Sequence, residues 1–403
     1  MMIKKLPHLI AIPFMAILIA IFAGVSPMSI FYDVIEQGAF RLYAPIITLI
    51  FGAVFAQVIH KTNISTSLIK YAAEFCGDSP ILLAFVLTFA VAFIFTSVSG
   101  LGSVIMVGTI VLPIFMSVGI SPSIASVLLI MGLNLGGLFN ISNFSFYTQT
   151  LNISEQHIKH CVLKLSIVSL LIIVLFILLN VRKSKTVFCC SENLPIKKVK
   201  WFSLISPIIP LALLFIWPLV FKTSINIISA LLISILYAII TTRPKQIINI
   251  LTESFLDGIK DSSPAIAIML GIGMLLQTVS NSDVSDLISP FILKIIPSNK
   301  LMYILTFFLL CPLALFRGPL NLFGLGSGLG VIILNTKILK PLAILGALLS
   351  IGAIQGICDP TNTHNVWVSN YVNIDTSKIL KKSLPYVLLQ VLISLTIMSI
   401  LFV

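Results

Sequence analysis

Charge is what this chain has least of. Asp, Glu, Lys and Arg make up 9% of its 403 residues, against 58% hydrophobic residues. A soluble globular protein carries roughly 25% charged residues. So little charge cannot cover a water-facing surface, which excludes a soluble enzyme or binding module and implies a polytopic membrane protein. Acids are scarcer still, 13 against 25 basic residues, for a net charge of +12. The basic residues form no folded basic domain and do not interleave with aromatics, so nucleic acid is not an expected partner. The surplus reads as loop charge that holds a membrane topology, with the lipid bilayer as the partner.

The six cysteines, Cys76, Cys161, Cys189, Cys190, Cys311 and Cys358, show neither metal-site nor CxxC spacing. They imply no disulfide or zinc framework. His157 and His160 have helical i, i+3 spacing beside Cys161, but the neighbourhood reads as an amphipathic surface helix rather than a metal site. No Ser-His-acid order, carboxylate pair or HExxH motif is present. No enzyme activity, metal or cofactor is therefore expected. The N-terminal stretch "MMIKKLPHLIAIPFMAILIAIFAG" reads as an uncleaved first span rather than a signal peptide, because no small-x-small cleavage site follows it.

Long apolar runs are what the chain has instead. Candidate spans fall at 8–26, 41–60, 81–97, 104–118, 122–139, 163–181, 203–221, 224–241, 264–280, 301–316, 320–336, 340–358 and 384–402. The longest polar break, 182–200, carries Arg182, Lys183, Lys185, Lys197, Lys198 and Lys200 against one acid, Glu192. It reads as a cytoplasmic linker between an N-terminal transmembrane repeat, 1–181, and a C-terminal one, 201–403. Counting crossings puts Lys4, Lys5, Lys61, Lys70, Arg243, Lys245, Lys378, Lys381 and Lys382 on the same side. The expected location is the cell's inner membrane, with the N-terminus and linker cytoplasmic.

The two halves repeat. At an offset of 219, Pro45 falls on Pro264, Gly52 on Gly271, Pro122 on Pro341, Gly137 on Gly356 and Asn143 on Asn362. The tetrapeptide "GLGS" occurs at 100–103 and again at 324–327, and "NISN" at 140–143 falls on "DPTN" at 359–362. The crossing count gives the copies opposite directions, an inverted-topology repeat of the kind found in secondary transporters. The expected fold is all-α, with two such repeats, each holding a re-entrant hairpin and a broken helix.

"TSVSGLGSV" and "FRGPLNLFGLGSGLG" place glycines and hydroxyls inside apolar sequence. A plain helix loses about 1 kcal/mol per glycine relative to alanine. Non-helical backbone at bilayer depth survives only inside protein or against a water-filled cavity. The pair reads either as two re-entrant hairpin tips or as close packing through small residues. Arg317 is a lone basic residue in a strongly apolar region. It is either a fixed charge for a carboxylate substrate, which its planar fork suits, or an interfacial residue that snorkels. "NISNFSFYTQ" and "DPTNTHNVW" follow Gly-rich spans, and Pro360 disfavours helix at Asp359. Each stretch is a broken helix or a turn at a span end. Asp359, beside amides and His364, is the acid placed to carry a proton or help hold a sodium ion. The other acids sit in loops or at span ends.

These residues carry a family resemblance. "FGAVFAQVI" at 51–59, the block 81–150, "FRGPLNLFGLGSG" and "CDPTNTHNVWVSNYVNIDTSK" resemble the gluconate permeases, proton-coupled sugar-acid symporters of the ion transporter superfamily. The resemblance covers most of the chain. It matches Arg317 to Ser327 with that family's arginine and Gly/Ser hairpin, and Asp359-Pro360 with its acid-proline pair. The chain departs from it in lacking an acid near "FTSVSGLGS" and in being short.

The expectation is a secondary active symporter, coupled to H⁺ or Na⁺, for a small organic anion such as gluconate or another short carboxylate. Ser99, Ser103, Asn143, Arg317, Asn321, Ser327, Asn362 and Thr363 are the expected substrate-binding residues. Asp359, Asn140, Thr361 and His364 are expected at the coupling ion. A cation/proton antiporter on the same fold and a non-transporting membrane subunit are the alternatives, and a homodimer follows from the superfamily.

Overall fold

The computed structural model describes residues 8–76, 79–181, 199–223, 225–297 and 299–403. Lys4, Lys5 and the expected linker up to residue 198 lie outside the described residues. Hydrocarbon offers backbone N–H and C=O groups no hydrogen-bonding partner, so a spanning chain must satisfy them within itself, as a helix does. The described residues are accordingly nearly all helical and include no strand. Among the described residues seven helices are long and apolar enough to cross a bilayer, or eight when one bent pair counts as a span.

The first half opens with α1 (His8–Phe22) and α2 (Tyr43–Lys61), the latter continuous from Pro27 through a π-helical stretch, and then α3 (Ile64–Cys76). Next come α4 (Pro80–Phe95) and α5 (Leu101–Ser117), separated by a non-helical tip. A helix broken at residues 139–140 follows, α6 (Pro122–Leu138) and α7 (Ile141–Leu151), and then the long α8 (Glu155–Asn180). The two parts of the broken helix are bent by 55°. The second half begins with a 3₁₀ turn leading into α9 (Ile209–Phe221), then α10 (Ile227–Thr242), α11 (Ile247–Ser280) and α12 (Ser282–Leu293). From there the same order recurs. α13 (Lys300–Leu310) and α14 (Leu325–Asn335) flank a second tip. α15 (Pro341–Ala353) runs through a π turn to Cys358, breaks, and resumes as α16 (Thr363–Tyr371). The long α17 (Thr376–Phe402) closes the chain.

Contacts between the halves are reciprocal. Equivalent elements meet one another: α2 meets α11, α8 meets α17, and α6 meets the π turn after α15. Each hairpin also packs on the opposite broken helix, α5 on α16 and α14 on α7. Paired reciprocal contacts are what a two-fold axis produces. Ser169 and Gln390, equally far from the N-caps of α8 and α17, join across this axis by a 2.7 Å hydrogen bond. α2 and α11 lie antiparallel, Lys61 beside Glu253 and Arg41 beside Gln277, so the repeats run in opposite directions.

The span expected at 264–280 is much longer than the sequence suggests. The 264–280 run is the end of a 34-residue helix that continues through Pro264. At 1.5 Å per residue α11 is about 51 Å long, well beyond the hydrocarbon thickness. Its first turns can therefore carry Glu253, Asp257 and Asp261 at helical spacing instead of placing them in loops. These acids face α2: Lys61 Nζ lies 3.0 Å from Glu253 and 2.6 Å from Asp257, and Gln57 donates to Asp261 at 2.6 Å. At the other end Arg41 donates to Leu276 O at 3.1 Å, Gln277 Oε1 at 2.8 Å and Ser280 Oγ at 3.0 Å. The α2–α11 pair is thus tied at both ends.

α4 and α6 approach closely through small residues. A Cβ on Gly136 would collide with the Ala92 carbonyl oxygen and come within 2.8 Å of Phe95 Cβ, whereas one on Gly137 would meet nothing within 4 Å. Overpacking of this kind costs about 1–3 kcal/mol. Gly136→Ala is expected to lower the melting temperature of the purified protein in detergent, while Gly137→Ala leaves it nearly unchanged. Paired thermal denaturation curves check this.

Candidate functional site

Both hairpin tips and both breaks leave backbone groups that no helix satisfies, and amide side chains take their place. Asn140 caps α7 by accepting from Ser142 N at 3.1 Å. Its Nδ2 donates to Phe95 O at 3.1 Å and Val98 O at 3.0 Å, fastening the first hairpin tip to the first break. Asn362 caps α16 in the same way, accepting from His364 N at 3.2 Å and donating to Gln355 O at 3.3 Å. Three residues on, Asn143 donates to Gly137 O at 2.8 Å. Asn365 likewise donates to Asp359 O at 2.9 Å, and to Ile357 O at 3.1 Å.

The caps correct the sequence register. Asn140 corresponds to Asn362 and Asn143 to Asn365, so "NISN" matches "NTHN" rather than "DPTN". The 219 offset holds along the first half of the broken helix, where Pro122 and Pro341 each occupy the first turn. It fails at the break, where five residues separate Gly356 from Asn362 but only two separate Gly137 from Asn140, so the second copy is three residues longer there. No acid stands in the matching stretch of the first half, residues 137–140.

Asp359 is fully buried. Its Oδ1 accepts from Thr361 N at 2.8 Å and Thr361 Oγ1 at 2.7 Å, and its Oδ2 accepts from Arg317 N at 3.1 Å. The last bond joins the second hairpin to the second break. It holds a strained turn, because Phe316 and Arg317 both have positive φ, 55° and 53°, a region costly for residues with a side chain. The Arg317 side chain is half-buried and makes no hydrogen bond or ion pair to another described residue.

Two adjoining cavities lie among these breaks. One, of about 270 Å³, sits between the broken helices near the Ser169–Gln390 pair. The other, of about 310 Å³, lies toward α1, α11 and the second hairpin. Ser99, Asn143, Phe323, Gln355, Asn362 and His364 line both. Ser99 Oγ is buried without a hydrogen-bond partner among the described residues.

Most of the residues expected at the site converge here. Arg317, Asn321, Asp359 and Thr363 line the second cavity, and Asn140 lines the first. Three line neither cavity, because their hydroxyls are used locally. Ser103 Oγ donates to Ser99 O, Ser327 Oγ to Gly324 O, and Thr361 Oγ1 to Asp359. The sequence reading missed Asn134, Tyr147, Phe323 and Gln355. Asn134 and Gln355 are single amides inside apolar spans, which no motif marks. Among the described residues no group of three or more His, Cys, Asp or Glu could hold a metal ion.

Removing the Asn140 side chain strands two carbonyls and one amide in a buried site. At about 1–3 kcal/mol for each unsatisfied buried group, Asn140→Ala is expected to destabilise the protein clearly more than Ser103→Ala, whose hydroxyl only bonds back to its own helix. Denaturation of the two variants side by side checks this.

No known protein-family signature matches the chain, and no curated protein matches its sequence. The resemblance to gluconate permeases thus rests on the quoted motifs alone. Solved structures do match the fold. The chain is similar to the YdaH transporter of Alcanivorax borkumensis, with a TM-score of 0.71 and 13% identity over 98% of each chain. It is also similar to MtrF of Neisseria gonorrhoeae, whose structure is described as illuminating a class of antimetabolite efflux pumps. There the TM-score is 0.68 and the identity 12%, over 99% of this chain and 96% of that one. At such identities the likeness is one of fold, and the chain has the architecture of these membrane transporters.

Proposed function

We propose that this protein is a secondary active carrier of a small organic anion. The observation that carries the reading is Arg317, which lines an internal cavity and whose guanidinium has no carboxylate within ion-pair distance among the described residues. Charge at bilayer depth is costly without a partner or water. An arginine left unpaired there suits an anion that comes and goes, and its fork binds a carboxylate through two parallel bonds. The transporter-like fold supports the reading, as does the meeting of two hairpin tips and two broken helices around the cavity.

Asp359 acts in this scheme through the second hairpin. Its carboxyl oxygens accept three hydrogen bonds and hold the Arg317 turn in place. A proton or cation arriving at Asp359 weakens that hold and frees the hairpin tip, which couples cation movement to access. Asn140, Asn143, Asn321, Asn362, Thr363 and His364 complete the polar wall. Ser103, Ser327 and Thr361 serve the backbone around it.

A second reading, cation/proton exchange, is favoured by one feature. Glu253, Asp257 and Asp261 lie one helical turn apart on α11, and the next turn brings Ala265, which lines the Arg317 cavity. This row of carboxylates leads from the basic Arg243–Lys245 end, cytoplasmic by the positive-inside rule, toward the site.

Uptake of labelled gluconate, lactate, citrate and succinate into proteoliposomes, under imposed pH or sodium gradients, tests the proposal. One acid is expected to accumulate with a gradient. Loss of a charged hydrogen bond of about 1.5–3 kcal/mol predicts a fall of roughly 10–100-fold for Arg317→Ala, with partial activity for Arg317→Lys. Asp359→Asn is expected to uncouple uptake from the gradient. Sodium-dependent proton flux without uptake of any acid would move the protein to the exchanger reading.

A further inference from the structure

The cavity between the broken helices is of a different character from the one at Arg317. No Asp, Glu, Lys or Arg lines it. Apart from His364, which it shares with the Arg317 cavity, its polar side chains are amides and hydroxyls, which both donate and accept, among them Asn134, Tyr147, Gln355 and the Ser169–Gln390 pair on the two-fold axis. The Asn134 and Gln355 side-chain amides make no hydrogen bond to another described residue, although both face the cavity. Space for Asn134 is built in, because a Cβ on Gly356 would collide with its Nδ2.

The partition between the cavities is equally specific. Counting back from the two "GLGS" stretches, Phe323 occupies on the second tip the position that Ser99 occupies on the first. Both line both cavities. Phe323 is fixed at its backbone, which donates to Asn321 Oδ1 at 2.9 Å. Its ring centroid lies 5.2 Å from that of Phe146 and 6.4 Å from that of Tyr147. Beside this ring, Asn143, Gln355, Asn362 and His364 face both sides. A ligand seated against Arg317 therefore already touches groups that belong to the neutral cavity.

We infer that the neutral cavity is a second subsite of the same binding site, which takes the uncharged, hydroxyl- or amide-bearing body of an anion whose carboxylate sits at Arg317, and that Phe323 sets how far that body extends. This rests on the anion-carrier reading. Groups that donate and accept at once match neutral amides best. A lone short acid would leave Asn134 and Tyr147 facing an unfilled space.

The test is binding by the purified full-length protein, read as thermal shift against concentration. The probes are glycolate, glycerate and gluconate, which share a 2-hydroxycarboxylate head and differ in the neutral body. Wild type is expected to bind gluconate at least 10-fold more tightly than glycolate. Asn134→Leu and Tyr147→Phe, which alter residues lining only the neutral cavity, are expected to erase most of that preference and leave glycolate binding within about twofold. Phe323→Ala is expected to change the ratio between the longest and shortest acids rather than binding of all three together. Equal affinity for the three acids in wild type would overturn the inference, as would Asn134→Leu and Tyr147→Phe weakening glycolate as much as gluconate. Binding of no acid at all would overturn the carrier reading with it, a result distinct from loss of length preference alone.

Discussion

Everything in this structure depends on one constraint: in a bilayer, a backbone group without a partner is too costly to keep. The described chain interrupts its helices at two tips and two breaks, and there a short polar side chain supplies what the helix no longer does. Asn140 and Asn362 cap the resumed helices, Asn143 and Asn365 cover the freed carbonyls, and Asn321 holds the second tip. The interior is polar at these points because the backbone requires it. The cavities follow, since a chain that breaks symmetrically from both sides meets itself around an unfilled centre.

Electrostatics then separates the two halves. The first break and tip are held by neutral groups, Asn140 and the hydroxyl of Ser97, which donates to Pro207 O. The second tip is held by a carboxylate, Asp359, through the Arg317 backbone. A neutral clasp is indifferent to protons and small cations, and a carboxylate clasp is not. Arg317 and Asp359 thus sit side by side without pairing through their side chains, one offering its guanidinium to the cavity and the other spending its oxygens on the fold.

The sequence made much of this legible. Lack of charge identified the membrane class, and the identical "GLGS" stretches located both tips; at the first, glycine is a backbone requirement, since Gly100 has φ of 90°. The register at the breaks was not legible. Asn-x-x-Asn is common by chance, and a constant offset conceals a three-residue insertion until the caps show which asparagine does which job. Ser103, Ser327 and Thr361 illustrate a second limit, since a hydroxyl in an apolar span looks free in sequence yet bonds its own helix or a neighbour. Asn134 and Gln355 illustrate the converse, as single amides whose importance comes only from the space in front of them.

The insertion at Asp359 has a thermodynamic meaning on the carrier reading. Two identical inverted halves would make the inward-open and outward-open forms equal in energy, because the axis exchanges one for the other. The second break is three residues longer than the first and alone carries an acid, so the axis is broken there. Any difference in how well the three bonds to Asp359 survive in the two forms becomes a standing preference for one of them. A difference of about 1.4 kcal/mol is tenfold in population, within reach of one or two net hydrogen bonds at about 0.5–1.5 kcal/mol each. The longer second break would then bias the resting orientation of the empty protein.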